Sequence, residues 1–270
     1  MLLLLVALAA GFGAAAGLLV PRPAYRLSVE SGTPWRTACP SGHPLRTGPG
    51  GWLGAARCAA CAAVTVPGPR AAAAPPESAP LPGAVSGGPA YGPHAVPLAV
   101  TGALAAAALA CAVGPRPELG VWLLLVPAGI LLAVVDRAVH RLPDVLTLPL
   151  AAVALGLLGL AAAHPEAAGS WTGALLGGLA LGGGYFVLFL AHPNGMGFGD
   201  VKLAVTLGVA LGWYGWGVLF TGAFAGFLYG AVYGFALLVR GRAGRRTAMP
   251  FGPFMIAGAF TGLLLGGMST

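Results

Sequence analysis

Three aspartates occur in this 270-residue chain, and all three lie at the edges of apolar segments. Asp136 and Asp144 fall in AVVDRAVHRLPDVLTLP, and Asp200 falls in NGMGFGDVKLAV. A carboxylate at the rim of a membrane span is costly to place, so it marks a functional site by default. Two such groups meeting across a water-accessible pocket can supply a general base and a general acid, which is what adding water to a peptide bond requires. No cofactor is expected for that chemistry. At close range in a low-dielectric site the two cannot both be ionised. Asp200 lies near a helix N-terminus and Asp136 near a C-terminus, so the helix dipoles place the charge on Asp200 and the proton on Asp136. Titration belongs to the pair.

The elements that must carry these residues are membrane spans. The chain is 57% apolar and 8% charged, against roughly 25% charged for soluble domains. Segments of about 20 residues that can cross a hydrocarbon core fall near 2–20, 96–114, 119–135, 145–163, 171–191, 201–215, 217–239 and 250–268. The expected fold is therefore an all-α polytopic membrane protein of about eight transmembrane helices, with a long polar loop after the first. Thirteen of the fourteen basic residues lie in alternate connections, leaving only Arg116 on the other side. By the positive-inside rule that side is the cytoplasm. The net charge of +7 is thus a topology signal, and no nucleic-acid partner is expected. Because the first span has no charged n-region, it reads as an uncleaved helix with its N-terminus outside, with a cleaved signal peptide as the alternative.

Asp136 closes the third span and Asp200 opens the sixth, so span counting returns both to the cytoplasmic face. Gly195, Gly197 and Gly199 precede Asp200; without a Cβ the backbone there can turn sharply and lie close to a substrate strand. A Gly-rich turn with a capping aspartate is the plainer alternative. Asp144 reads most simply as the N-cap of the fourth span. Lys202 reads as a topology anchor or a substrate-orienting charge.

Four segments divide the chain: 1–20, the first transmembrane helix; 21–63, a cytoplasmic loop with Cys39, Cys58 and Cys61; 64–95, a linker rich in Pro, Ala and Gly; and 96–268, a seven-helix core. Stable disulfides are not expected in the cytoplasm, where thiols are kept reduced. Cys39, His43, Cys58 and Cys61 would make a Cys3His set for tetrahedral zinc, and a loop without metal is the alternative. Cys111, inside the second span, reads as a packing residue.

DRAVHRLPDVLTLP, then GMGFGDVKL, then MPFGPFMIAG, resemble in order and spacing the prepilin peptidase (type IV leader peptidase) family of GxGD-type membrane aspartyl proteases. The resemblance covers residues 96–268, and a first span ending in PAYRL fits it too. It implies that Asp136 and Asp200 are the catalytic pair, with Asp144 at a motif position not usually given the proteolytic role. It implies a bacterial cytoplasmic-membrane enzyme cutting the leader from a prepilin or pseudopilin precursor. Relatives carry two CxxC pairs in the loop, where this chain has only Cys58-Ala-Ala-Cys61 and Cys39-Pro-Ser-Gly-His43. Many also methylate the new amino terminus with S-adenosylmethionine; the residues for that step are not identifiable here. Two other classes compete. A proton- or cation-coupled transporter would need acidic groups deep in its spans, and a non-cutting assembly factor would not need both aspartates.

Overall fold

The computed structural model describes residues 1–30, 32–64, 90–193, 196–241 and 249–270. Among these residues the regular secondary structure is helical, apart from two isolated β-bridges, Ala38 with Pro44 and Arg57 with Ala90. In chain order the helices are α1 (Leu2–Leu19), α2 (Pro21–Leu27), α3 (Pro49–Trp52), α4 (Ala59–Val64), α5 (Ala95–Val113), α6 (Glu118–Val139), α7 (Asp144–Ala162), α8 (Trp171–Ala191), α9 (Phe198–Gly212), α10 (Trp216–Val239) and α11 (Gly252–Met268). The chain is an all-α, multi-pass membrane protein. Six helices (α1, α5, α6, α7, α8 and α10) are long and apolar enough to cross a bilayer. The other two expected spans are shorter, with 15 residues in α9 and 17 in α11. Most of the expected 64–95 linker lies outside the described residues, as do Gly195, Arg70, Arg242, Arg245 and Arg246.

Helix ends depart from the hydropathy reading at two informative places. The apolar run of α6 stops at Val135, but the helix continues for another turn through Val139. It ends where His140 turns left-handed (φ 51°) and donates its backbone N–H to the Asp136 carbonyl at 2.7 Å. Asp136 is therefore inside the last turn and not beyond the span. At the other end of the motif pair, α9 begins at Phe198, so Asp200 is its third residue.

Three seams bring helix backbones together at glycines, the arrangement expected where small residues permit close approach within a bilayer. Gly13 and Gly17 of α1 face Gly102 and Leu98 of α5; Gly173 and Gly177 of α8 face Gly208 and Gly212 of α9; Gly222 and Gly226 of α10 face Gly258 of α11. A Cβ at most of these positions would run into the opposing backbone. The middle seam matters most for position, because α9 also packs against α7, α10 and α11. Its residues from Asp200 to Gly212 are largely buried.

The apolar core has two main parts. One lies toward the α5–α6 connection and contains Leu109, Trp122, Leu158 and Trp213. The other contains Leu132, Leu142, Tyr185, Val201, Leu203 and Met255, and it surrounds the helix ends that carry the aspartates.

The α8–α9 seam can be tested by adding one methyl group. Gly208→Ala sets a Cβ against the Gly177 carbonyl and should destabilise by about 1–3 kcal/mol, as overpacking does. Gly183→Ala faces open space and should leave the thermal midpoint in detergent unchanged or slightly raised, because alanine is the better helix former.

Candidate active site

Asp136 is 4% exposed and Asp200 8% exposed, both unusually enclosed for carboxylates. The fold brings the last turn of α6 and the first turn of α9 to one apolar cluster, where Leu132 of α6 and Val201 and Leu203 of α9 are buried together. Asp136 accepts a hydrogen bond at Oδ2 from the backbone N–H of Gly252, the first residue of α11, at 3.0 Å. That contact alters the electrostatics expected from the sequence. Asp136 ends one helix but faces the start of another, so helix ends alone no longer separate the roles of the two carboxylates.

The α6–α7 connection backs directly onto the GxGD segment. A Cβ at Gly199 would sit 3.0 Å from the Leu142 Cβ, so glycine there serves close packing. Neither Gly197 nor Gly199 has a positive φ, and Gly197 is an extended N-cap at φ −73° and ψ 144°. The sharp, glycine-dependent turn expected from their spacing is absent at these two positions. A Cβ at Gly197 would lie 3.7 Å from Asp200 Oδ2, an ordinary contact.

Asp144 is not the cap of α7. Pro143 occupies that position and makes no side-chain cap, while Asp144 is the first helical residue. Its carboxylate instead meets Lys202 Nζ at 2.7 Å, tying the start of α7 to α9. Lys202 also lies over the Phe198 ring at 4.8 Å. The pair is half open to solvent, with Asp144 56% exposed, so it contributes modestly to stability.

Tyr185 and Glu118 carry no motif and were not singled out in the sequence. Tyr185 is buried in α8, in the same apolar cluster as Val201 beside Asp200, and stacks on Phe227 at 5.5 Å. The one signal in the sequence is that Tyr185 is the single phenol in an apolar helix. Glu118 is fully buried at the opposite end of α6, where Oε1 accepts from the Ala168 N–H at 3.3 Å. Cys111 lies on the exposed face of α5 and does not pack inside the bundle.

In the loop, Cys39 Sγ, His43 Nδ1, Cys58 Sγ and Cys61 Sγ all lie within 4.8 Å of one another. The bridge between Ala38 and Pro44 brings Cys39 back beside His43, whose carbonyl accepts the Cys39 N–H at 2.9 Å. His43 Nδ1 is 3.5 Å from Cys39 Sγ, 3.3 Å from Cys61 Sγ and 3.8 Å from Cys58 Sγ. Tetrahedral bonds of about 2.3 Å to sulfur and 2.1 Å to nitrogen imply ligand separations of roughly 3.5–3.8 Å. The donor set and its spacing therefore fit a metal ion. The Cys61 backbone N–H draws the Cys58 thiol below its ordinary range. Burial pushes Cys39 up, but hydrogen bonds from His43 outweigh it and leave that thiol lowered too. These two shifts favour the thiolate that a metal requires. Cys61 is raised instead: the hydrogen bond from Ser41 lowers it, but burial and the Cys58 and Cys39 sulfurs together outweigh that bond.

The family model described as the type IV leader peptidase family matches residues 123–238, which include Asp136, Asp144 and Asp200. The leader peptidase HopD of Escherichia coli is 34% identical over 139 residues, and the match covers 84% of that protein and 49% of this chain. The chain belongs to the type IV leader peptidase family. Larger members are similar as well. The prepilin leader peptidase/N-methyltransferase of Stutzerimonas stutzeri is 36% identical over 158 residues, covering 57% of this chain and 52% of that one. Its counterpart in Pseudomonas aeruginosa is 34% identical over the same length and shares. The chain thus spans about half the length of these relatives. No solved structure matches it. For this leader peptidase family member, the matched region holds both buried aspartates, while Gly252 and the cysteine cluster fall outside it.

Proposed function

We propose that this chain is a membrane aspartic endopeptidase that cuts the leader from type IV prepilin-like precursors. Asp136 and Asp200 are its catalytic pair. The observation that carries this reading is the pair itself: two of only three aspartates, from helices far apart in sequence, are buried at helix ends that border one apolar cluster. An enclosed carboxylate pair that shares a proton is suited to acid–base hydrolysis. The ionised member takes a proton from water, and the water oxygen adds to the scissile carbonyl carbon. The carbonyl oxygen takes the proton held by the other carboxyl. Collapse of the tetrahedral intermediate breaks the C–N bond: the amine leaves with the proton first taken from water, and a hydroxyl of the diol returns its proton to the other carboxylate as the new carbonyl forms. The pair is thereby restored, with no cofactor consumed in the cycle.

Gly197 and Gly199 belong to the backbone along which the substrate lies. The Lys202–Asp144 pair fixes the approach of α7 to α9 beside it. The excess of basic residues in alternate connections supports a cytoplasmic orientation for this end of the bundle, in a bacterial cytoplasmic membrane. A prepilin or pseudopilin helix then enters from the bilayer, and its leader crosses the aspartates. The two larger relatives are named for N-methylation as well as peptidase activity, whereas HopD is named as a leader peptidase alone. Methyl transfer to the new amino terminus would draw on S-adenosylmethionine, and no residue here is assigned to it. No observation favours the transporter reading.

The cluster of Cys39, His43, Cys58 and Cys61 would hold a structural zinc ion. Four protein ligands would close its coordination sphere, so its contribution is to staple a loop with a small apolar core. The segment is expected to depend on the metal for its order.

Two measurements check these assignments. Co-expressed with a leader-bearing prepilin, the wild type should shorten the substrate by the length of its leader. Asp136→Asn and Asp200→Asn should each abolish that mobility shift while accumulating normally in the membrane; cutting at the wild-type rate by both variants would sink the assignment. Purified protein should carry about one zinc per chain by elemental analysis, the stoichiometry of a single four-ligand site. Cys58→Ser should lower that content and expose the loop to proteolysis, whereas wild type purified under mild conditions without metal would rule the zinc site out.

A further inference from the structure

We infer that Gly252 is a positioning residue for Asp136: its N–H holds Oδ2, which leaves Oδ1 as the oxygen that exchanges protons with water and substrate. This rests on the aspartyl-peptidase reading above.

The first support comes from the backbone donors at the start of α11. The opening N–H groups of a helix have no partner within it, and a buried one must find an acceptor elsewhere. Phe254 and Met255 both donate to the Phe251 carbonyl, at 3.0 and 3.2 Å. Pro253 has no N–H to place. Gly252 is left as the donor of the first turn that faces outward from the helix, and its acceptor is Asp136 Oδ2. Among the described residues no other donor reaches this carboxylate. Oδ2 therefore takes the one hydrogen bond this carboxylate accepts among the described residues, and Oδ1 is the oxygen left without one.

The second support is steric. A Cβ at Gly252 would lie 2.8 Å from Asp136 Oδ2 and 3.2 Å from its Cγ, inside van der Waals contact. The φ of Gly252 is not positive, so any residue could adopt this backbone. Absence of a side chain serves only the approach of the carboxylate.

The third support is that the start of α11 is pinned from its other side. The Phe251 ring lies 5.2 Å from Phe227 and 6.4 Å from Tyr185, centroid to centroid. It also covers Gly230, where a Cβ would meet the ring at 3.1 Å. Contacts with α8 and α10 thus fix where the Gly252 N–H points. Asp136, on α6, is oriented by a residue 116 positions away.

The test measures steady-state cleavage of a prepilin substrate in detergent or lipid for wild type, Gly252→Ala, Phe251→Leu and Asp136→Asn. Displacing a reacting group by about 1 Å can cost on the order of a hundredfold in rate. Gly252→Ala should lower kcat by about that factor and leave KM within about threefold, because substrate-binding surfaces are untouched. A loss of folded protein alone would reduce the active fraction without moving the rate per folded molecule, so rates are referred to protein that survives size-exclusion chromatography. Should Gly252→Ala fail to accumulate, Phe251→Leu decides: it retains apolar bulk, loosens the aromatic pin, and should lower kcat about tenfold at unchanged KM. If Asp136→Asn is inactive but these variants keep the wild-type kcat, or change KM alone, the inference fails while the peptidase reading stands. If Asp136→Asn cuts at the wild-type rate, the reading fails and takes the inference with it.

Discussion

A carboxylate enclosed by apolar helices has to find donors or share its charge, because burying it unpaired is among the largest penalties a fold can carry. Asp136 and Asp200 meet this requirement without any salt bridge among the described residues. Asp136 takes a backbone N–H from the start of α11. Asp200 sits in the first turn of α9, where backbone N–H groups point outward and favour negative charge. Both solutions use helix N-termini, and both work only if three helix ends converge. Much of the bundle's packing serves that convergence.

The helix at the centre is short. Fifteen residues of α9 extend about 22 Å at 1.5 Å per residue, less than the roughly 30 Å of a hydrocarbon core. At least one end is therefore recessed, and the connections at each end must reach inward. Glycines at the α8–α9 seam let the backbones touch, and Gly199 lets the α6–α7 connection press Leu142 onto the GxGD turn. The Asp144–Lys202 pair ties the same turn to α7. A peptide bond brought to this recess would meet two carboxylates partly shielded from bulk water, where electrostatic effects are stronger than in solvent.

How far the sequence revealed this depended on how local each cause was. Hydropathy and the placement of arginine delineated the spans, and the three motifs pointed to Asp136 and Asp200, because these signals lie within single segments. Helix ends were less legible. The apolar run of α6 stops at Val135, yet its hydrogen bonds persist to His140, since helix geometry does not require apolar side chains. Asp144 was read as a cap because its type and place suit one, but Lys202, on another helix, captures its carboxylate. The spacing of Gly199 suggests a sharp turn, but its φ is not positive and the close packing of Leu142 accounts for the missing side chain. Tyr185 and Gly252 were illegible as site residues for the same reason: each acts through contacts between distant segments. The Cys3His cluster was visible because ligand spacing is a local pattern, and the hairpin at Ala38–Pro44 accounts for how its first half closes.

Whether the two carboxylates act as one unit is best settled by a double-mutant cycle on cleavage rate. Groups that serve a single step lose activity together, so removing the second costs little once the first is gone. Rates for Asp136→Asn, Asp200→Asn and the double variant, each normalised to folded protein, should collapse to the same residual value. Losses that multiply, or a single variant that retains the wild-type rate, would contradict a shared catalytic pair.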